Sequence, residues 1–255
     1  MRFAKDTYLL AKRCLTLSVR NPAFLFMGII TPFLYLSLFV PLLETLGQSH
    51  SAFSGNVLNT FVPGMLPYIA FTTGLFTGFG TIDELRSGLI ERFRVTPVSR
   101  FAILMGYVIR DLCETLFQCL LFTLTALAFG FRASLTGMVF LFFFLLLLAI
   151  ITSSFGNAMG VITKSEDRFA PITHGITLPT LLLSGTLLPI ALAPLWLKAM
   201  AYCNPVYHVV EAARSLSQGA LFSPEISIAL AVLTLLAALT LTWAARVFRN
   251  ASYSG

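Results

Sequence analysis

Charge is scarce in this chain: Asp, Glu, Lys and Arg together make up 11% of its 255 residues, beside two tryptophans, three histidines and four cysteines. Each scarcity excludes something. Cys14, Cys113, Cys119 and Cys203 form no CxxC pair and no metal-ligand spacing, so neither a disulfide framework nor a metal site is expected. His50, His174 and His208 are scattered, and no HExxH motif or pair of acids is present to build an intramembrane hydrolase. No GxxxxGK[ST] loop occurs, so the chain lacks the usual backbone cradle for nucleotide phosphates.

What fills the chain instead is apolar: 57% of residues, 24 of them Phe, with a mean hydropathy of +0.85. A soluble domain of this make-up would expose too much apolar surface to stay dispersed. A bilayer span needs about 20 mostly apolar residues. Segments near 23–43, 61–81, 112–131, 137–162, 171–190 and 226–245 meet that need. Backbone groups in hydrocarbon must be satisfied within their own segment, so an all-α integral membrane protein with six transmembrane helices is expected, forming a single domain over 1–255. Residues 1–22 place Arg2, Lys5, Asp6, Lys12, Arg13 and Arg20 on one side of a helix, with Phe3, Leu10, Cys14 and Leu17 facing away. That is the pattern of an amphipathic helix lying in the membrane interface and meeting lipid phosphates.

Orientation follows from the basic residues. With the N-terminus inside, the segments 1–22, 82–111, 163–170 and 246–255 carry fourteen of the 17 Lys and Arg, and only Arg132, Lys198 and Arg214 lie outside. Both termini are therefore expected in the cytosol. Arg110, Asp111 and Glu114 would be costly at mid-membrane. The third helix is accordingly expected to start in the cytosol near Ser99 and enter lipid just after Glu114, with Arg110 and Glu114 paired at i,i+4 on its inner turn. A proton-relay carboxylate would need a second buried acid or base, and the sequence offers none.

Two GxxxG spacings, Gly74–Gly78 in the second span and Gly156–Gly160 in the fourth, allow helices to approach closely. The fifth span is irregular, carrying Pro171, Pro179, Pro189, Gly175 and Gly185. A broken helix dotted with polar residues lines a cavity or an interface rather than bulk lipid. This makes Thr173, His174, Thr177, Gly185 and Thr186 candidates for the substrate path or a dimer seam. Over 190–215, two short half-apolar stretches are broken by Pro194 and by Asn204-Pro205. They are too short to cross and are expected as short outer re-entrant helices.

The segment 82–100 is the exception to the scarcity of charge, with seven charged residues in nineteen. Wound as a helix, Ile82, Leu85, Leu89 and Phe93 form one apolar stripe, with Asp83–Arg86 and Glu91–Arg94 at i,i+3. Thr96-Pro97 ends it. Such a cytosolic helix suits a membrane subunit pushed by an external motor.

The stretch from Glu84 to Arg100 (E-L-R-x-G-x-x-E-R-F-x-x-T-P-V-S-R) resembles the signature of ABC-2 type transporter permeases. Pro189, Pro194, Trp196, Asn204-Pro205-Val206-Tyr207 and Arg214 resemble that family's outer segment. The pattern is most similar to the daunorubicin-resistance and nodulation-factor export permeases, with polysaccharide and lipopolysaccharide export permeases as a more distant alternative. The resemblance implies an ATP-driven exporter of a drug, lipid or glycolipid in the bacterial cytoplasmic membrane. It implies a separate ABC ATPase in two copies on a permease dimer, with a homodimer expected. ATP and Mg would be bound by that partner, no cofactor by this chain, and no nucleic acid is involved. Carried over, Glu84, Arg86, Gly88, Glu91 and Arg92 become residues of a cytosolic coupling helix, with Leu85, Leu89 and Phe93 facing the partner or the membrane. An ion-driven secondary transporter is the rival, but it would place ionisable residues near the midplane, whereas the charges here sit at span ends.

Overall fold

The computed structural model describes residues 58–88, 100–186, 190 and 193–250, together with positions 7, 10–13, 15, 16, 30, 33, 34, 36–38 and 41. Most of the expected first span near 23–43 and most of the interfacial helix over 1–22 lie outside the described residues; of the former, positions 30, 33, 34, 36–38 and 41 are helical, with Leu36 buried. Of the latter, Leu10–Arg13, Leu15 and Thr16 are helical, with Ala11 buried and Lys12 and Arg13 exposed.

Seven helices follow in order: α1 Leu58–Arg86, α2 Arg100–Ala128, α3 Leu135–Thr163, α4 Glu166–Leu183, α5 Leu195–Tyr202, α6 Pro205–Ser217 and α7 Pro224–Asn250. Four of them, α1, α2, α3 and α7, are long and apolar enough to cross a membrane. The most apolar, α3, packs against α1, α2, α6 and α7. Its inward side chains Leu141, Leu145 and Leu148 are fully buried among Leu66 and Leu75 of α1, Phe122 of α2, Val210 of α6 and Leu233 of α7.

In a bilayer the lipid tails are as apolar as Leu, so helices associate through close packing rather than through exclusion of water. The two GxxxG motifs supply that packing against each other. A Cβ at Gly78 would sit 2.4 Å from the Gly156 carbonyl oxygen, one at Gly160 would sit 2.6 Å from that of Gly78, and one at Gly156 would sit 2.5 Å from that of Leu75. The backbones of α1 and α3 touch, and no side chain fits between them.

The structure corrects two expectations about where helices begin and end. The helix predicted over 82–95 does not begin at 82, because residues 82–86 close α1. The chain then turns at Ser87 and Gly88, whose φ of 69° is a left-handed conformation that ends a helix. The stripe from Ile82 to Phe93 is thus interrupted, with Ile82 buried in the bundle. The fifth span, expected over 171–190, begins earlier and stops at Leu183. Ser184 caps the end by donating to the Leu181 carbonyl, and Gly185 turns the backbone at φ 74°. With Glu166, Asp167 and Arg168 in its first turn, the apolar part of α4 is shorter than the roughly 30 Å hydrocarbon core.

The segment 190–215 does form two short helices. Along α5, Leu195, Trp196, Met200 and Tyr202 stay exposed, which suits the membrane interface. By contrast α6 buries Val206, Val209, Val210, Ala213 and Leu216 in the bundle. Asn204 starts α6 by accepting from the Val206 amide at 3.0 Å, and its amide donates to the Thr180 carbonyl at 3.0 Å. Asn204→Ala is expected to cost about 1 kcal/mol from the lost cap, seen as a lower melting temperature in detergent. Asn204→Asp should keep the cap and lose only the tie to α4, so a larger loss in the aspartate variant would refute this assignment.

Candidate coupling site

Near the ends of α1, α2 and α3 that adjoin residues 86, 100 and 163, a group of polar side chains is closed off from solvent. Asp111 on α2 is fully buried. Arg110 donates to its Oδ1 at 2.7 Å, Asn157 to its Oδ2 at 2.7 Å, and the Ser153 hydroxyl also donates to Oδ2. Asn157 is the hub. Its Nδ2 also donates to the Ser153 carbonyl at 2.9 Å, and its Oδ1 accepts from Thr81 of α1 at 2.5 Å. Three helices are joined through one carboxylate and one amide.

The arrangement is electrostatically closed. A lone carboxylate inside a membrane bundle is expensive, and here the adjacent guanidinium neutralises it while hydroxyl and amide donors fill its remaining lone pairs. Arg110 also lies over the Tyr107 ring at 5.4 Å and reaches Glu114 at 3.7 Å. The expected Arg110–Glu114 pair therefore exists, but Asp111 is the nearer partner. The expectation for Asp111 is corrected: it belongs to the bundle interior rather than to a solvated inner turn, because Ser153 and Asn157 of α3 reach it there.

One helical turn toward the start of α2, the Tyr107 hydroxyl donates to Glu84 at the end of α1. Tyr107 packs against Phe248 of α7, with ring centroids 6.3 Å apart. Arg86 pairs with Glu166 at the start of α4, with both side chains about half exposed. The predicted coupling residues Glu84 and Arg86 are thus fastened to their own bundle, Glu84 to α2 and Arg86 to α4. Gly88 supplies the turn that follows. Leu89, Glu91, Arg92 and Phe93 lie outside the described residues.

The candidates for the substrate path do not converge on one surface. Thr173 and Thr177 are buried, and their hydroxyls donate to carbonyls of their own helix at 2.7 to 3.2 Å. His174 is exposed, its ring 5.7 Å from that of Phe76. Gly185 and Thr186 are buried at the opposite end of the bundle. There Arg214 donates to the Gly185 carbonyl at 2.6 Å while pairing with Glu211 at 2.9 Å.

Residue patterns did not point to Asp111, Ser153, Asn157, Thr81 or Tyr107 as a unit. The signal available was the pair Ser153 and Asn157, one turn apart in the most apolar span, which is where a buried polar partner would have to sit.

Comparison with known proteins fits this architecture. The family model described as ABC-2 type transporter matches residues 5–217. The chain is 28% identical over 216 residues to a putative transport permease ycf38 of Cyanophora paradoxa, covering 84% of this chain and 74% of that protein. It is 23% identical over 224 residues to the daunorubicin resistance ABC transporter permease protein DrrB1 of Streptomyces coeruleorubidus, covering 87% and 78%. It is also 22% identical over 153 residues to the probable multidrug ABC transporter permease YbhR of Escherichia coli K12, covering 59% and 41%.

Proposed function

The chain belongs to the ABC-2 type transporter family, and on that premise we propose that it is the membrane half of an ATP-driven exporter, moving a hydrophobic or amphipathic substrate outward across a bacterial cytoplasmic membrane. Permeases of this family work with ABC ATPase partners. On this reading the ATPase is a separate polypeptide, docks in two copies on a permease homodimer and binds the ATP and Mg. This chain contributes no active site, and both its termini face the cytosol. Drug-resistance relatives favour a drug or lipid-like cargo over a polysaccharide.

The observation that carries the proposal is the buried junction beside the charged segment. Residues beyond Arg86 hang from a helix end held to α2 by Glu84–Tyr107 and to α4 by Arg86–Glu166. A push on that segment reaches three spans through the Thr81–Asn157–Asp111 contacts rather than dissipating in a loose loop.

The test is retention of the ATPase. An interfacial charge that loses its partner leaves the other group desolvated, at roughly 2–5 kcal/mol, which is at least about tenfold in affinity. Glu91→Ala with Arg92→Ala is expected to stop the ATPase co-purifying while the permease melts near the wild-type temperature. Arg249→Ala serves as the control. Full retention of the ATPase by the double variant would refute the docking assignment.

A further inference from the structure

We propose that a groove between the C-terminal ends of α3 and α7 binds the headgroup of an anionic phospholipid from the adjoining leaflet. The groove holds about 400 Å³, walled by Val161 and Ile162 of α3 and by Trp243 and Val247 of α7. Two cations, Lys164 and Arg246, line it, and Asn250 adds an amide. Among the described residues no acid lines it, and neither cation has an ion-pair partner.

The spacing is built for one side. Trp243, Arg246, Val247 and Asn250 fall at i, i+3, i+4 and i+7, a single face of α7. Lys164 sits just past α3 in a left-handed conformation, φ 53°, and is the one non-glycine with positive φ among the described residues. Its amide caps the helix by donating to the Gly160 carbonyl at 3.0 Å. Glycine would take that conformation without strain, and the Lys164 ammonium has no other use in the described structure. Basic residues near helix C-termini also offset the helix dipole, but that role requires neither an open groove nor an apolar wall.

The wall selects lipid over a soluble phosphate. Both α3 and α7 are long and apolar enough to span the membrane, so their shared end lies at headgroup depth. Trp243 is held there by stacking on Phe155, with centroids 5.6 Å apart and planes 25° from parallel. A phosphate diester would meet Lys164 and Arg246 while the first acyl carbons lie against Val161, Val247 and the indole. Basic pockets between spans take anionic headgroups for this reason. The inference rests on the membrane placement of these helices and not on the identity of any cargo.

The chain has two tryptophans, so Trp196→Phe leaves Trp243 as the sole tryptophan reporter. The protein is reconstituted in phosphatidylcholine vesicles containing chain-brominated phosphatidylglycerol or, at the same mole fraction, chain-brominated phosphatidylcholine. Brominated phosphatidylglycerol is expected to quench Trp243 at lower mole fraction. Lys164→Gln with Arg246→Gln should weaken that preference by roughly tenfold or more, the order expected when two basic contacts to anionic lipid are removed. Lys198→Gln, on α5, should leave it unchanged. If the double variant fails to fold, each single variant is measured, and each should lose part of the preference. Equal quenching by the two lipids, or a preference that survives the substitutions, overturns the proposal. So does relief of quenching by soluble glycerol phosphate, which would assign the groove to a free phosphate.

Discussion

Asp111→Ala is expected to lower the melting temperature of the detergent-solubilised protein sharply and to reduce the monodisperse fraction. The carboxylate takes bonds from Arg110, Ser153 and Asn157, and all three donors are buried. Removing one partner of a buried ion pair leaves the other charge uncompensated and costs about 3–5 kcal/mol. Replacing both charges by apolar residues of similar volume avoids that penalty and is often close to neutral. Arg110→Met with Asp111→Leu should therefore recover much of the stability that Asp111→Ala loses. The comparison separates fold from coupling. A double variant that melts near wild type yet no longer couples ATP hydrolysis to transport would place the junction in the conformational cycle. If Asp111→Ala melted like wild type, the carboxylate would not be what holds the three helices together.

The second large effect is expected at the contact between α1 and α3. A methyl group at Gly156 would meet two backbone carbonyl oxygens, Leu75 at 2.5 Å and Gly74 at 2.8 Å. Backbone atoms of two packed helices cannot swing aside as a side-chain tip can, so the helices must separate. Over-packing of this kind costs typically about 1–3 kcal/mol and occasionally more. Because it also pulls Asn157 away from Thr81, Gly156→Val should reach the upper end of that range. Gly156→Ala should already be harmful. Gly175 of α4 provides the control, since a Cβ there meets nothing within 4 Å. Gly175→Ala should be neutral or stabilising by up to about 1 kcal/mol through helix propensity alone. Melting curves of the three variants decide the matter. Equal effects at Gly156 and Gly175 would mean that propensity, and not the close approach of α1 and α3, governs both sites.

Much of this architecture is legible in the residues because its causes are local. Apolar run length gives the spans α1, α2, α3 and α7. Asn204-Pro205 marks the break before α6, and a side-chain acceptor followed by a residue without an amide hydrogen suits a helix start there. The opening of α2 near Ser99 follows from the cost of placing Arg110, Asp111 and Glu114 at mid-membrane. Helix α4, expected as the fifth span, is less legible. Pro171 and Pro179 announce irregularity, but the stop at Leu183 depends on Ser184 and Gly185 turning the chain under Arg214, whose guanidinium holds the Gly185 carbonyl from 29 positions further on.

By itself, then, the sequence determined that this is a helical membrane protein, where its long apolar spans run, and that it resembles the ABC-2 permeases. The first two follow from composition and run length, and the third is a resemblance carried by the stretch from Glu84 to Arg100 and by the residues from Pro189 to Arg214. Only the tertiary structure decided that the two GxxxG motifs face each other, that Glu84 and Arg86 are tied into the bundle, and that Asp111 lies within it. A carboxylate near a span end has the same neighbours in sequence whether it meets water or protein. Its environment is fixed by Ser153 and Asn157, 42 and 46 residues away, and packing alone brings those side chains to it.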